Sequence, residues 1–254
     1  MILFLFNHDA VHQVAHLSGI VRAMAARSPT IRIGCATSSE RILQRLRQML
    51  DAATIARIEW MPLQLPGWME ALLALPNRIA PVRRLAMLDY HARALLDCNV
   101  LVSAERTCLR LRRRQASLGA STRFVHVPHG PGDRAVTFHP AKAGFDHMLV
   151  SGEKTARELV ARGVATPDRV RVIGYAKFDT IDPEVRVPLF DNGRPTFLYN
   201  PHFDPFLSSW YDEGPKLLDW FASAEGQRFN LVFAPHVMLF RKKLHVSMEY
   251  RTGR

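Results

Sequence analysis

The stretch FDHMLVSGEKTARELVARGVATPDRVRVIGY, residues 145–175, decides the fold class. An apolar run, FDHMLVS (145–151), reads as a buried strand. GEKTARELVARGV (152–164) reads as a helix stopped at Gly163, and RVRVIGY (169–175) restarts as a strand. Two apolar strands joined through a helix make a crossover unit, and such units build parallel sheets covered on both faces.

The same alternation runs back to the N-terminus. ILFLF (2–6) is a strand, and the stretch from His12 to about Arg27 is helical, with Val14, Leu17, Val21 and Met24 spaced by three and four. IRIGCA (31–36) is a second strand. Ser38 is expected to cap a helix that runs to about Leu50, and ARIEWM (56–61) is a third strand. Helical segments near 67–76 and 81–96 precede the strand CNVLVS (98–103), then a basic helix over 104–117 and the strand RFVHV (123–127). Residues 1–182 are therefore expected to form an N-terminal, doubly wound α/β domain.

PEVRVPLFDNGRP, with three prolines and the turn signal Asp191-Asn192-Gly193, marks a linker over 183–194. After it, PTFLYN (195–200), a helix over 211–224 and FNLVFA (229–234) begin a second β-α-β unit, 195–254. Two strands and one helix cannot cover both faces of a parallel sheet, so this second domain is expected to be incomplete, its chain truncated.

Composition sets broad bounds. Hydrophobic residues make up 48% and charged residues 22% of the 254, as in globular proteins. The formal charge of +11 comes from arginine rather than lysine, 28 against 6. A basic balance suits a nucleic acid, an anionic membrane surface or a phosphorylated substrate, and a GC-rich coding bias would produce the same skew. Aromatic residues are not interleaved with the basic run, which argues against nucleic acid. Cys35, Cys98 and Cys108 form no CxxC pair, which fits a reducing compartment. MILFLF is too short for a signal-peptide core or a membrane span, so a cytoplasmic location is expected.

In a parallel sheet, ligands bind beyond the carboxyl ends of the strands. His129, Gly130, Gly132, Asp133 and Arg134 follow RFVHV there, and His236 follows FNLVFA. Glycines let a backbone approach an anion, and an imidazole suits proton transfer. The bland alternative is a Pro-Gly turn with a solvated histidine. His12 and His16 have metal-capable i, i+4 spacing, but no third ligand is apparent, so packing is expected and no metal. No GxGxxG or P-loop is present, and no cofactor is expected. Arg106, Arg110, Arg113 and Arg114 crowd one helix that could meet polyphosphate or anionic lipid at the inner membrane face, though a solvated face would look the same. Ser208 and Ser209, ahead of a helix, are either phosphate donors or simple caps.

Taken in order, HGPGDR, SGEKTARELVARGV and Gly174-Tyr175-Ala176-Lys177-Phe178-Asp179, with the later Tyr199-Asn200-Pro201 and Pro235-His236, resemble the GT-B fold, and among its members the CDP-glycerol glycerophosphotransferase family and its glycosyltransferase-like relatives. The order is also similar to that of UDP-N-acetylglucosamine 2-epimerases. The resemblance covers roughly residues 1–245 and implies two Rossmann-like domains with an active site in the cleft between them. It implies a transferase that moves glycerophosphate or a sugar from a nucleotide-activated donor to a cell-envelope acceptor without a metal. His129 would be the base that deprotonates the acceptor hydroxyl, and His236 would sit against the donor phosphates. Pro131 and Val237 depart from the family pattern, and the Ser-rich, Asp-containing segment that would hold the nucleotide is not in this sequence. A catalytically inactive binding module and an epimerase are therefore the alternative readings.

Overall fold

ILFLF becomes an interior strand of the main sheet, third in its order of seven. The computed structural model describes residues 1–8, 10–130, 135–181, 188–236 and 238–240. In it β1 (Ile2–Phe6) lies between β2 (Ile33–Thr37) and β4 (Val100–Ser103), with Ile2 level with both Ile33 and Val100. The remaining strands are β3 (Ile58–Pro62), β5 (Arg123–His126), β6 (His147–Val150) and β7 (Val170–Val172). The order is β3-β2-β1-β4-β5-β6-β7, and every neighbour pair is parallel.

A strand buried on both faces needs apolar residues at every position, which is why β1 shows no alternation. Leu3 and Leu5 pack into one core and Phe4 and Phe6 into the other. On the phenylalanine side, α1 (Ala15–Arg27) contributes Leu17 and Val21, and α2 (Glu40–Gln48) contributes Ile42 and Leu46. On the leucine side, α5 (Val82–Tyr90) contributes Met87 and Leu88, α6 (Ala92–Leu95) Leu95, α7 (Leu109–Arg112) Leu111, and α9 (Glu153–Ala161) Leu159. Each such side chain stabilises the fold by about 1.5–3 kcal/mol relative to exposure.

Several local expectations are corrected. Ser39, not Ser38, caps α2: its backbone is extended and its Oγ accepts the Ile42 N–H, while Ser38 Oγ donates to the His8 carbonyl. A short helix, α3 (Ala52–Arg57), precedes β3 where a strand was expected from residue 56; Asp51 caps it through the Thr54 N–H at 2.8 Å. The segment near 67–76 is α4 (Gly67–Ala74) followed by a 3-10 turn over Pro76–Arg78. The basic helix expected over 104–117 is broken into a 3-10 turn (Arg106–Cys108), α7 and α8 (Gln115–Leu118), ending at Gly119 in the left-handed region. Within that run Arg110 is paired with Asp89 at 2.7 Å.

The chain divides into two compact units, residues 1–182 and 183–254. In the second, β8 (Thr196–Tyr199) and β9 (Asn230–Phe233) pair in parallel, joined through α10 (Trp210–Ala222). The Asn230 amide fastens the preceding turn by bonding Asn192, the Arg194 carbonyl and Thr196.

Candidate functional site

In the first unit the strand order reverses between β1 and β4, the place where an open parallel sheet offers a crevice. Three chain segments leave the sheet there: Asn7-His8 after β1, Ala104-Glu105 after β4, and Val127 to Gly130 after β5.

His129 is held by its Nδ1, 3.2 Å from the Ala104 carbonyl. A carbonyl oxygen can only accept, so Nδ1 carries the proton and the neutral ring presents its lone pair at Nε2. His126, three residues earlier, makes the same bond to the Ser103 carbonyl at 3.1 Å, yet its surroundings differ. It is buried and stacked on Phe145 with ring centroids 4.6 Å apart, and burial pushes its pKa down to about 3. His129 is exposed. Of two histidines on one strand exit, one is fixed in the core and the other is open to reactants.

Two further imidazoles close on His129. His16, in the first turn of α1, meets it edge-to-face at 6.1 Å and lies 5.7 Å from the Tyr175 ring. Burial lowers the His16 pKa to about 3, with His129 and then Lys177 adding repulsion. His8 is lowered to about 4, first by burial and then by His12 and His129, against a weak backbone interaction with Ala10 that favours its charged form. Tyr175 and Lys177 reach this place because the 3-10 turn Ala176–Thr180 lies on α1. Gly19 faces Asp179 with no room for a Cβ, and Arg22 Nη2 donates to the Asp179 carbonyl at 2.7 Å. Gly174, with φ of 79°, makes the bend that lets the chain turn there.

The crevice is also polar and under-satisfied. Both amide atoms of Asn7, Thr37 Oγ1, His16 Nδ1 and Ser18 Oγ are buried without a hydrogen-bond partner among the described residues. Each buried polar group left this way costs about 1–3 kcal/mol, so such a cluster is completed by water or by a hydroxyl-bearing guest. Lys142, buried after β5, has its pKa pushed down to about 8 by burial and then by Arg106. The site thus combines imidazoles held neutral with cationic neighbours.

The expected residues fare differently. Gly130 has open space where a Cβ would stand. Gly132, Asp133 and Arg134 lie outside the described residues. In the second unit His236 follows β9, and its N–H donates to the Pro201 carbonyl after β8. Its Nδ1 accepts the Met238 N–H at 3.2 Å, so the neutral ring carries its proton on Nε2, the opposite tautomer to His129. Phe203 and His202 flank it, with ring centroids 4.6 and 5.4 Å away. Ser208 Oγ accepts the Trp210 N–H at 3.2 Å and Ser209 Oγ bonds Tyr199 Oη at 3.1 Å, so both hydroxyls have intramolecular work. Among the described residues no three His, Cys, Asp or Glu side chains converge to hold a metal ion. Asn7, His8, His16, Tyr175 and Lys177 were not expected at the site. The signal for the first two was available: they follow the first strand directly.

Compared with known proteins, the sequence matches no family model and no curated protein. The structure is similar to solved ones. A Listeria monocytogenes protein assigned as a UDP-N-acetylglucosamine 2-epimerase matches with a TM-score of 0.62 at 10% identity, over 100% of this chain and 66% of that one. The lipopolysaccharide outer core galactosyltransferase WaaB matches with 0.51 at 14% identity, over 98% and 65%. Arabidopsis thaliana UGT89C1, solved with UDP-L-rhamnose, matches with 0.53 at 12% identity, over 92% and 68%. This chain thus spans about two-thirds of the length of each. The likeness is one of fold, and it places the protein among the GT-B-like α/β structures built from Rossmann-like units.

Proposed function

We propose that this protein serves group transfer from a nucleotide-activated donor, an NDP-sugar or CDP-glycerol, to a hydroxyl of a cell-envelope polymer or glycan. The observation that carries this reading is the His129 ring. It is exposed beyond the sheet's carboxyl edge, with Nδ1 tied to the Ala104 carbonyl and Nε2 left as a base. In the proposed step the acceptor hydroxyl gives its proton to His129 Nε2 as its oxygen attacks. For a sugar donor the bond from the anomeric carbon to the nucleotide breaks and UDP leaves; for CDP-glycerol the pyrophosphate bridge breaks and CMP leaves. His236, protonated at Nε2 in its neutral form, suits the donor's phosphate oxygens. Residues 1–182 would then form the acceptor-side domain, 183–194 the linker, and 195–254 the beginning of the donor domain. Gly130, Gly132, Asp133 and Arg134 would bind the substrate or its phosphate, and a cytoplasmic site facing the membrane through Arg106, Arg110, Arg113 and Arg114 belongs to the same reading. Neither metal nor cofactor enters the step.

A second reading is a binding module without turnover. It is favoured by Ser208 and Ser209, whose hydroxyls are engaged internally. One assay separates the readings. The protein is incubated with UDP-glucose, UDP-N-acetylglucosamine or CDP-glycerol and an envelope extract, and nucleotides are followed by mass spectrometry. Release of UDP or CMP, reduced about 100-fold or more by His129→Ala in a protein of unchanged circular dichroism, supports transfer. Interchange of the sugar with its C2 epimer supports an epimerase. No turnover of any donor by the folded protein refutes the transferase reading.

A further inference from the structure

A helix that is apolar all round needs cover on every side. α4 and the turn after it, GWMEALLALPNRIAP (67–81), carry two charged residues, Glu70 and Arg78. Met69 and Leu73 pack on the protein core. The opposite side carries Trp68, Leu72, Leu75 and Ile79, spaced by four, three and four, and they are 68%, 69%, 69% and 78% exposed. Every residue from Ala74 to Pro81 is exposed. Glu70 does not relieve this, because its carboxylate is held by Arg83 through bonds of 2.7 to 3.0 Å. The outer stripe is thus four large apolar side chains with no cover among the described residues.

We infer that this stripe docks on the surface of an anionic lipid bilayer, lying in the interface rather than crossing it. The charges select that occupant. Arg83 and Arg84 are engaged by Glu70 and Glu105, which leaves the exposed Arg78 and Arg93 as the cations presented near the stripe. The whole chain carries +11, so a second copy would be repelled where an anionic surface is attracted. Trp68 at the stripe's start has the amphipathic ring that prefers the headgroup level, and a short apolar face with arginine nearby is the pattern of an interfacial helix. Among the described residues no helix is long and apolar enough to cross a membrane. The inference does not depend on the transferase reading.

The test is co-sedimentation of the full chain with phosphatidylcholine vesicles containing about one-third phosphatidylglycerol, alongside pure phosphatidylcholine vesicles. Binding to the anionic vesicles is expected, weakened by salt, with Leu72→Glu and Ile79→Glu together raising the apparent Kd at least tenfold. Both positions are exposed, so circular dichroism and the urea midpoint should be unchanged. Arg78→Gln should weaken binding to anionic vesicles alone. Binding that survives the double variant, or no binding to either vesicle, overturns the inference. So does concentration-dependent self-association, measured by light scattering, that the double variant abolishes, because a second copy would then be what covers the stripe.

Discussion

Acidification should unfold this protein well above the pH at which its carboxylates titrate. His8, His16 and His126 are buried, and their pKa values fall to about 4, about 3 and about 3, chiefly because burial penalises the charged ring. Folding therefore favours their neutral forms. The stability they contribute is whole above the unfolded value near 6.5 and drains away as pH falls towards 4 and 3. Near pH 5 the unfolded chain holds about three more protons on these rings than the folded one, a slope on the order of 4 kcal/mol per pH unit. From about pH 7.5 to about pH 5 the loss is on the order of 6 kcal/mol, comparable with a whole domain's typical margin of about 5–15 kcal/mol. Urea titrations followed by circular dichroism over that range should show the midpoint dropping steeply below about pH 6.5 with little change above it. His126→Phe should flatten the curve by about one-third, since it removes one of the three protons. A midpoint that stays level between about pH 7 and about pH 5, or proton uptake on unfolding of less than about one, would refute the reasoning.

Other outcomes follow from single contacts. Gly19→Ala gains about 0.5–1 kcal/mol of helix propensity but drives a Cβ to within 2.8 Å of Asp179 Oδ2 and 3.0 Å of the Ala176 carbonyl, and overpacking of this kind costs about 1–3 kcal/mol. The net urea-measured change should be destabilising, and the His16 and His129 ring resonances should shift in NMR as Tyr175 moves; a more stable variant with unmoved resonances would contradict the packing. Asp51→Ala removes the cap of α3 along with a side-chain bond to Thr54 at 2.9 Å, at an expected cost of about 0.5–2 kcal/mol in chemical denaturation. Burial raises all three thiols, Cys98 to about 11 and Cys108 to about 12, so native protein should react with a thiol-specific disulfide reagent far more slowly than protein in urea.

The sheet was legible because its physics is local. ILFLF is an apolar run that a strand covered on both faces explains, the strand–helix–strand spacing of 145–175 gives the parallel crossover, and helix spacing in 12–27 places Leu17 and Val21 on the core side. Adjacent serines defeated the cap assignment: Ser38 and Ser39 have the same chemistry, and only backbone angles decide which Oγ meets Ile42. The basic run looked like one helix because arginine has high helical propensity, yet a 3-10 turn and the Gly119 stop divide it. At the site, His129 could be picked out from a strand followed by a glycine turn. His16 and Tyr175 could not, because they meet only after the 176–180 turn has folded against α1, 157 positions along the chain from Arg22 to Asp179. The tautomers of His129 and His236 were beyond sequence altogether, since each is set by a main-chain partner from elsewhere or from a following turn.

The position of β1 also sets a schedule. It is synthesised before both of its neighbours, and the second of them, β4, begins pairing at Val100 opposite Ile2, after most of a hundred further residues. At about 5–20 residues per second a ribosome needs on the order of 5–20 s to deliver that partner. Throughout the interval the ILFLF backbone has one edge satisfied at most, and an unpaired apolar strand is a template for pairing with other chains. β1, enclosed on both faces of the finished sheet, is therefore the strand most in need of a chaperone while the molecule is being made.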